Sequence, residues 1–129
     1  MKNLPSIAAI LLGLAFITFG LNYFLEFMPA GGPTEPGSAK ALFFGAIVPT
    51  GFLTFVKIFE IIGGLLVALP KTRNIGMLVL GPIVINILAI NIFIIGGGAA
   101  LQPPVIVISL LSAYILFAAK DKFLGLLND

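Results

Sequence analysis

The run FLTFVKIFEIIGGLLVAL, Phe52 to Leu69, holds eighteen residues and only two charges, Lys57 and Glu60. A helix that crosses a bilayer needs about 20 mostly apolar residues, because the hydrocarbon core is about 30 Å thick and a helix rises about 1.5 Å per residue. The rest of the chain decides what this run belongs to. Of its 129 residues 60% are hydrophobic and 9% charged, with a mean hydropathy of +1.20, whereas soluble domains carry about 25% charged residues. The composition is that of an integral membrane protein, and Phe52–Leu69 reads as one of its spans.

Working outward, three further stretches approach spanning length: Pro5–Phe27, Ile75–Ile95 and Pro104–Ala119, the last extended to about residue 121. The predicted fold is all-α, an integral membrane four-helix bundle in a single domain over residues 1–129. Ala41–Val48 is also apolar but runs into Pro49-Thr50-Gly51, which breaks a helix. It reads as a short extra half-helix before the second span, lying at the outer face or dipping into it. Pro82 predicts a kink in the third span and a freed carbonyl that a neighbouring helix must satisfy. Met28–Lys40, rich in Pro and Gly, reads as an external connection, and Ile94–Pro104 as a flexible turn.

Lysine and arginine set the expected orientation. Lys2, Lys71, Arg73, Lys120 and Lys122 fall on one side of a four-span arrangement, and the loops on the other side hold only Lys40. Both termini are therefore expected in the cytoplasm, in a multi-pass protein of the inner (plasma) membrane. The first span has the outline of a secretory signal, with Lys2 before an apolar Ile7–Phe19. The apolar run continues to Phe27 without a small-residue cleavage site, so an uncleaved span is the expectation.

Helical rise converts position into depth. Lys57 comes roughly 9 Å below the outer boundary and Glu60 roughly 14 Å, near the midplane. On the same scale Asn22 and Asn91 lie roughly 6 Å deep, Asn86 roughly 14 Å, and Ser109 and Ser112 at about 8 and 12 Å, with Tyr114 near the middle. The predicted intramembrane polar cluster is Asn22, Lys57, Glu60, Asn86, Asn91 and Tyr114. Asn86 and Asn91 are five apart and diverge by roughly 140° on a regular helix, so sharing a cavity requires width or distortion. Gly63 and Gly64, with Gly13 and Gly20, are expected to let helices approach closely.

A charge at the centre of a span costs about 2.5 to 3.5 kcal/mol on insertion scales, so such residues face the bundle and find partners. Lys57 and Glu60, at i and i+3, are spaced to pair on one helix face. Three readings stay open: a structural staple with Lys57 reaching outward, a ligand, proton or ion site, and an interface with another protein. With no cysteine and no histidine, the chain has no thiol–disulfide chemistry of its own, no His-ligated haem and no Cys/His zinc site. The net charge of +2 forms no patch beyond loop ends, which gives no basis for nucleic-acid binding.

The segments LLGLAFITFGLNYF (Leu11–Phe24), FEIIGGLLVALPKTR (Phe59–Arg73), GPIVINILAINIFI (Gly81–Ile94) and AYILFAAKDKFLGLL (Ala113–Leu127) together resemble the DoxX family, in its short four-span branch. The resemblance covers nearly the whole chain and is most specific at the Glu before Gly-Gly and at the Val-x-Asn-Ile-Leu segment of the third span. It implies that Asn22, Glu60 and Asn86 sit where the family places its intramembrane polar groups. Similar sequences often carry His at the position of Asn91, so any titrating role there is lost. Some DoxX-type proteins are membrane subunits of a thiosulfate:quinone oxidoreductase, and others are tied to oxidative stress and quinone-like toxicants.

Three functions are expected to compete. In the first, a non-catalytic bundle holds a small apolar molecule such as a quinone, with Lys57 or Asn91 donating to its carbonyl. In the second, the chain is an accessory membrane subunit whose partner protein carries the redox group, the chain itself needing no cofactor or metal. In the third, it is a proton or small-solute transporter, or a channel, which at this size requires a homo-oligomer or a narrow path. A purely structural scaffold is the remaining alternative.

Overall fold

A computed structural model describes residues 3–28 and 34–127. Every regular element among them is helical: α1 Leu4–Leu25, α2 Ala39–Ile47, α3 Phe52–Ala68, α4 Arg73–Ala89, α5 Pro103–Ala118 and α6 Lys120–Leu124. A π-helical segment, Ile90–Ile95, continues α4, and single 3-10 turns lie at Ala99–Leu101 and Gly125–Leu127. Lys2, used above for orientation, lies outside the described residues, as does the middle of the Pro/Gly-rich connection.

Among the described residues, two helices are long and apolar enough to cross a membrane: Leu4–Leu25, and the continuous Arg73–Ile95. The count rises to four if each of two bent pairs is one span. In one pair α2 meets α3 at 80°, and in the other α5 meets Lys120–Leu127 at 74°. The extension of the last apolar stretch to residue 121 is thus not straight helix. Its bend falls after Ala118, where the cap residue Ala119 leaves helical geometry.

Local chemistry explains the boundaries. Ser38 caps α2 by accepting from the Ala41 N–H at 3.2 Å. Gly51 starts α3 with φ of 86°, a left-handed turn that glycine adopts freely, and this directs α3 away from α2. Prolines open α1 and α5, where their missing N–H costs nothing. Pro82, by contrast, does not interrupt α4, which runs through it to Ala89. The distortion comes later, in the π-helical Ile90–Ile95 closed by the Gly96 N–H on the Asn91 carbonyl at 2.9 Å.

α1 packs along α3, α3 along α4, and α5 against both α1 and α4. The core between them is apolar: Ala8, Ala9, Leu12 and Phe16 of α1 meet Val67, Met77, Leu80, Val84, Ile108 and Ile115. Glycines set the spacing. A methyl group added at Gly64 would lie 2.7 Å from the Gly13 carbonyl oxygen, and one at Gly13 would lie 2.5 Å from that of Gly64. Gly63 is filled by Leu80, and Gly76 lies against the backbone of Val67. Most other apolar side chains point outward, among them Leu11, Leu14, Leu65, Leu78 and Phe117, as a lipid-facing surface requires.

Arg73 fastens one end. Its guanidinium donates to the carbonyls of Val67 at 3.0 Å and Ala68 at 3.3 Å, and to the Ser6 hydroxyl at 3.0 Å. Thr72 donates to the Leu66 carbonyl at 2.7 Å. Four carbonyls at the end of any helix lack internal partners, and here two side chains from the following turn satisfy three of them.

Candidate functional site

The helical register of α3 places Lys57, Glu60 and Gly64 on adjoining turns of one face. Lys57 Nζ lies 3.3 Å from Glu60 Oε1, the two forming an ion pair within the helix. The partners are unequally covered: the Glu60 side chain is 5% exposed and that of Lys57 22%. Mutual neutralisation lowers the cost of holding both charges among apolar side chains.

The pair lines a cavity of about 640 Å³ between α2, α3 and the far end of α4 with its π-helical extension. The walls are mainly apolar, with Phe43, Phe44 and Ile47 from α2 and Phe52 from α3, and the polar groups are Lys57, Glu60, Asn86 and Asn91. Four of the six residues expected to cluster therefore share one cavity. Asn86 and Asn91 both reach it although they are five apart, and the helix around Asn91 is the one that widens into π geometry. Each amide also donates to its own helix, Asn86 to the Pro82 carbonyl at 2.8 Å and Asn91 to that of Ile87 at 2.7 Å.

The other two residues are elsewhere. Asn22 closes the end of α1: its Oδ1 accepts from the Met28 N–H at 2.7 Å, and its carbonyl accepts from the Glu26 N–H at 2.8 Å. Glu26 adopts the left-handed cap conformation there, with φ of 52°. The free backbone groups of a helix end take the Asn22 side chain that sequence had assigned to the cluster. Tyr114 is exposed on α5, whose buried face is Val105, Ile108, Ser112 and Ile115. Span one thus gives the cavity no residue, and its place is taken by α2.

Phe43, Phe44 and Ile47 line the cavity although the pattern of polar residues in the sequence does not point to them. Their signal was the apolar Ala41–Val48 ahead of the Pro-Thr-Gly break, which positions a short helix across the start of α3. The Tyr23 and Thr54 hydroxyls, 2.8 Å apart, add a bond between α1 and α3 that the sequence pattern does not mark.

Comparison with protein-family models, with curated proteins and with solved structures yields no match to this chain.

Proposed function

We propose that the chain is a four-span membrane protein with α2 as a half-helix at the outer face, and that its cavity holds a small apolar molecule with a polar head, of quinone type. The carrying observation is the cavity itself. At about 640 Å³ it falls within the roughly 300–1,000 Å³ of small-molecule sites, and it combines apolar walls with a few convergent polar groups. A bundle packed solid at this depth would have had no room for a ligand. The resemblance to the DoxX family points to the same chemistry, in a plasma-membrane protein with both termini cytoplasmic, alone or as a subunit beside a redox partner. In this reading Lys57 and Glu60 orient the head, and the phenylalanines of α2 and α3 enclose its ring.

The test is thermal stabilisation of the purified protein in mild detergent by decylubiquinone and by its reduced form, with decane as control. Stabilisation by either, reduced in Lys57→Met, is expected. No stabilisation by either form overturns the reading.

One observation favours transport as a second reading: the 80° break between α2 and α3, since transporters place binding sites at broken helices. Proton flux in proteoliposomes that is the same for wild type and Glu60→Gln would remove Glu60 from any such path.

A further inference from the structure

Two features of the cavity specify its occupant more narrowly. The first is the direction of its hydrogen bonds. Asn86 and Asn91 each spend an N–H on a carbonyl of their own helix, so the side-chain oxygens are left without a donor among the described residues. Glu60 receives Lys57 at Oε1, and its Oε2 has no partner there either. Three oxygen acceptors thus line a mostly apolar cavity that contains one cationic donor, Lys57. An acceptor enclosed by a ligand that offers it nothing loses its water without replacement.

The second feature is a smaller, more open apolar groove of about 310 Å³ between α3 and α4, lined by Phe55, Val56, Phe59, Val79 and Ile83. Val56 and Ile83 also form the cavity wall, so cavity and groove adjoin along these two side chains. Phe55 and Phe59 are exposed on the outward surface of α3, where the bilayer would meet them.

We infer that the occupant is a long-chain amphiphile with a hydroxyl head, of the alkylphenol, hydroquinone or long-chain alcohol class, taken from the lipid phase. The hydroxyl accepts from Lys57 and donates to an oxygen of Glu60, Asn86 or Asn91, while the tail lies in the groove between α3 and α4. A carbonyl or ether head can accept from Lys57 or from the second amide N–H of Asn86 or Asn91, but it leaves every acceptor oxygen unmet. This inference rests on the ligand-binding reading above and narrows it.

Matched probes separate the two. 4-Octylphenol and 4-octylanisole share size and tail and differ in the donating hydrogen, and 4-ethylphenol keeps the hydroxyl and loses the tail. Binding to the full-length protein in lipid nanodiscs would be measured by ligand-observed NMR and corrected for partition into the bilayer. We expect 4-octylphenol to bind about tenfold more tightly than 4-octylanisole, within the range that an acceptor enclosed without a donor costs, and more tightly than 4-ethylphenol. The triple variant Glu60→Leu/Asn86→Leu/Asn91→Leu, which removes all three acceptors, should lose most of the phenol advantage while still binding the anisole, which reports that it is folded. Equal binding of phenol and anisole to wild type overturns the hydroxyl assignment, and equal binding of the octyl and ethyl phenols overturns the groove. If no probe binds, the ligand-binding reading falls as well.

Discussion

Lys57 and Glu60 illustrate how unequal burial decides the consequence of breaking an ion pair. Removing Lys57 leaves a carboxylate that is 5% exposed with no counter-charge, whereas removing Glu60 leaves a flexible ammonium that is already 22% exposed and has a long stem with which to reach a polar surface. Lys57→Met is therefore expected to cost about 3 kcal/mol and Glu60→Gln about 1 kcal/mol, with Lys57→Met/Glu60→Leu recovering most of the larger loss. Denaturant titration of the four proteins in one detergent checks the order, and a larger loss for Glu60→Gln contradicts it. Arg73 differs because its value lies in geometry. Three hydrogen bonds converge on one planar fork, so Arg73→Lys should lose nearly as much stability as Arg73→Ala, about 2 kcal/mol. Rescue by lysine would show that charge alone is needed at this helix end.

At the scale of elements, the glycines divide into two kinds. Gly64 touches the Gly13 carbonyl across the α1–α3 contact, and the nearest side chain is Ile17, so Gly64→Val forces the helices apart at a cost of about 1–3 kcal/mol or more. Gly45, inside α2, has open space around it, and Gly45→Ala should stabilise that helix by about 0.5–1 kcal/mol. Thermal unfolding of both variants would give shifts of opposite sign. The positions of the helices follow from hydropathy, because lipid demands long apolar runs and proline and glycine mark their ends. Which polar residues meet does not follow, because helical phase fixes a face but not the neighbour it meets. Asn22 shows the same limit: a depth scale places it among the polar groups, but the backbone N–H of Met28 competes for it and wins. The π-helical turn at Ile90–Ile95 has no marker in sequence, since Pro82 is the residue that should distort α4 and α4 passes through it intact.

For the whole molecule, the orientation expected from its cations is open to a direct experiment. The chain has no cysteine, so single cysteines placed in the native background report their own accessibility. Lys71→Cys and Lys122→Cys, both at exposed positions, should react with a membrane-impermeant maleimide only from the cytoplasmic side, and Glu35→Cys only from the opposite side. Labelling of all three from one side would remove the four-span arrangement.

The contacts along α3 and α4 are unevenly distributed, and this gives the pair a mechanical character. Near their shared turn the side chains of Thr72 and Arg73 hold the last carbonyls of α3 and Gly76 lies against the Val67 backbone, while at the distant end the cavity lies against both helices and α4 passes into the π-helical turn. The arrangement is that of tongs joined at the fastened turn and open at the cavity, with the far ends of α3 and α4 as jaws on either side of the space a guest would take. Amides of Ile90–Ile95 should exchange hydrogen faster than those of Val79–Val84 in the empty protein, and closing the jaws on a guest should slow the former first.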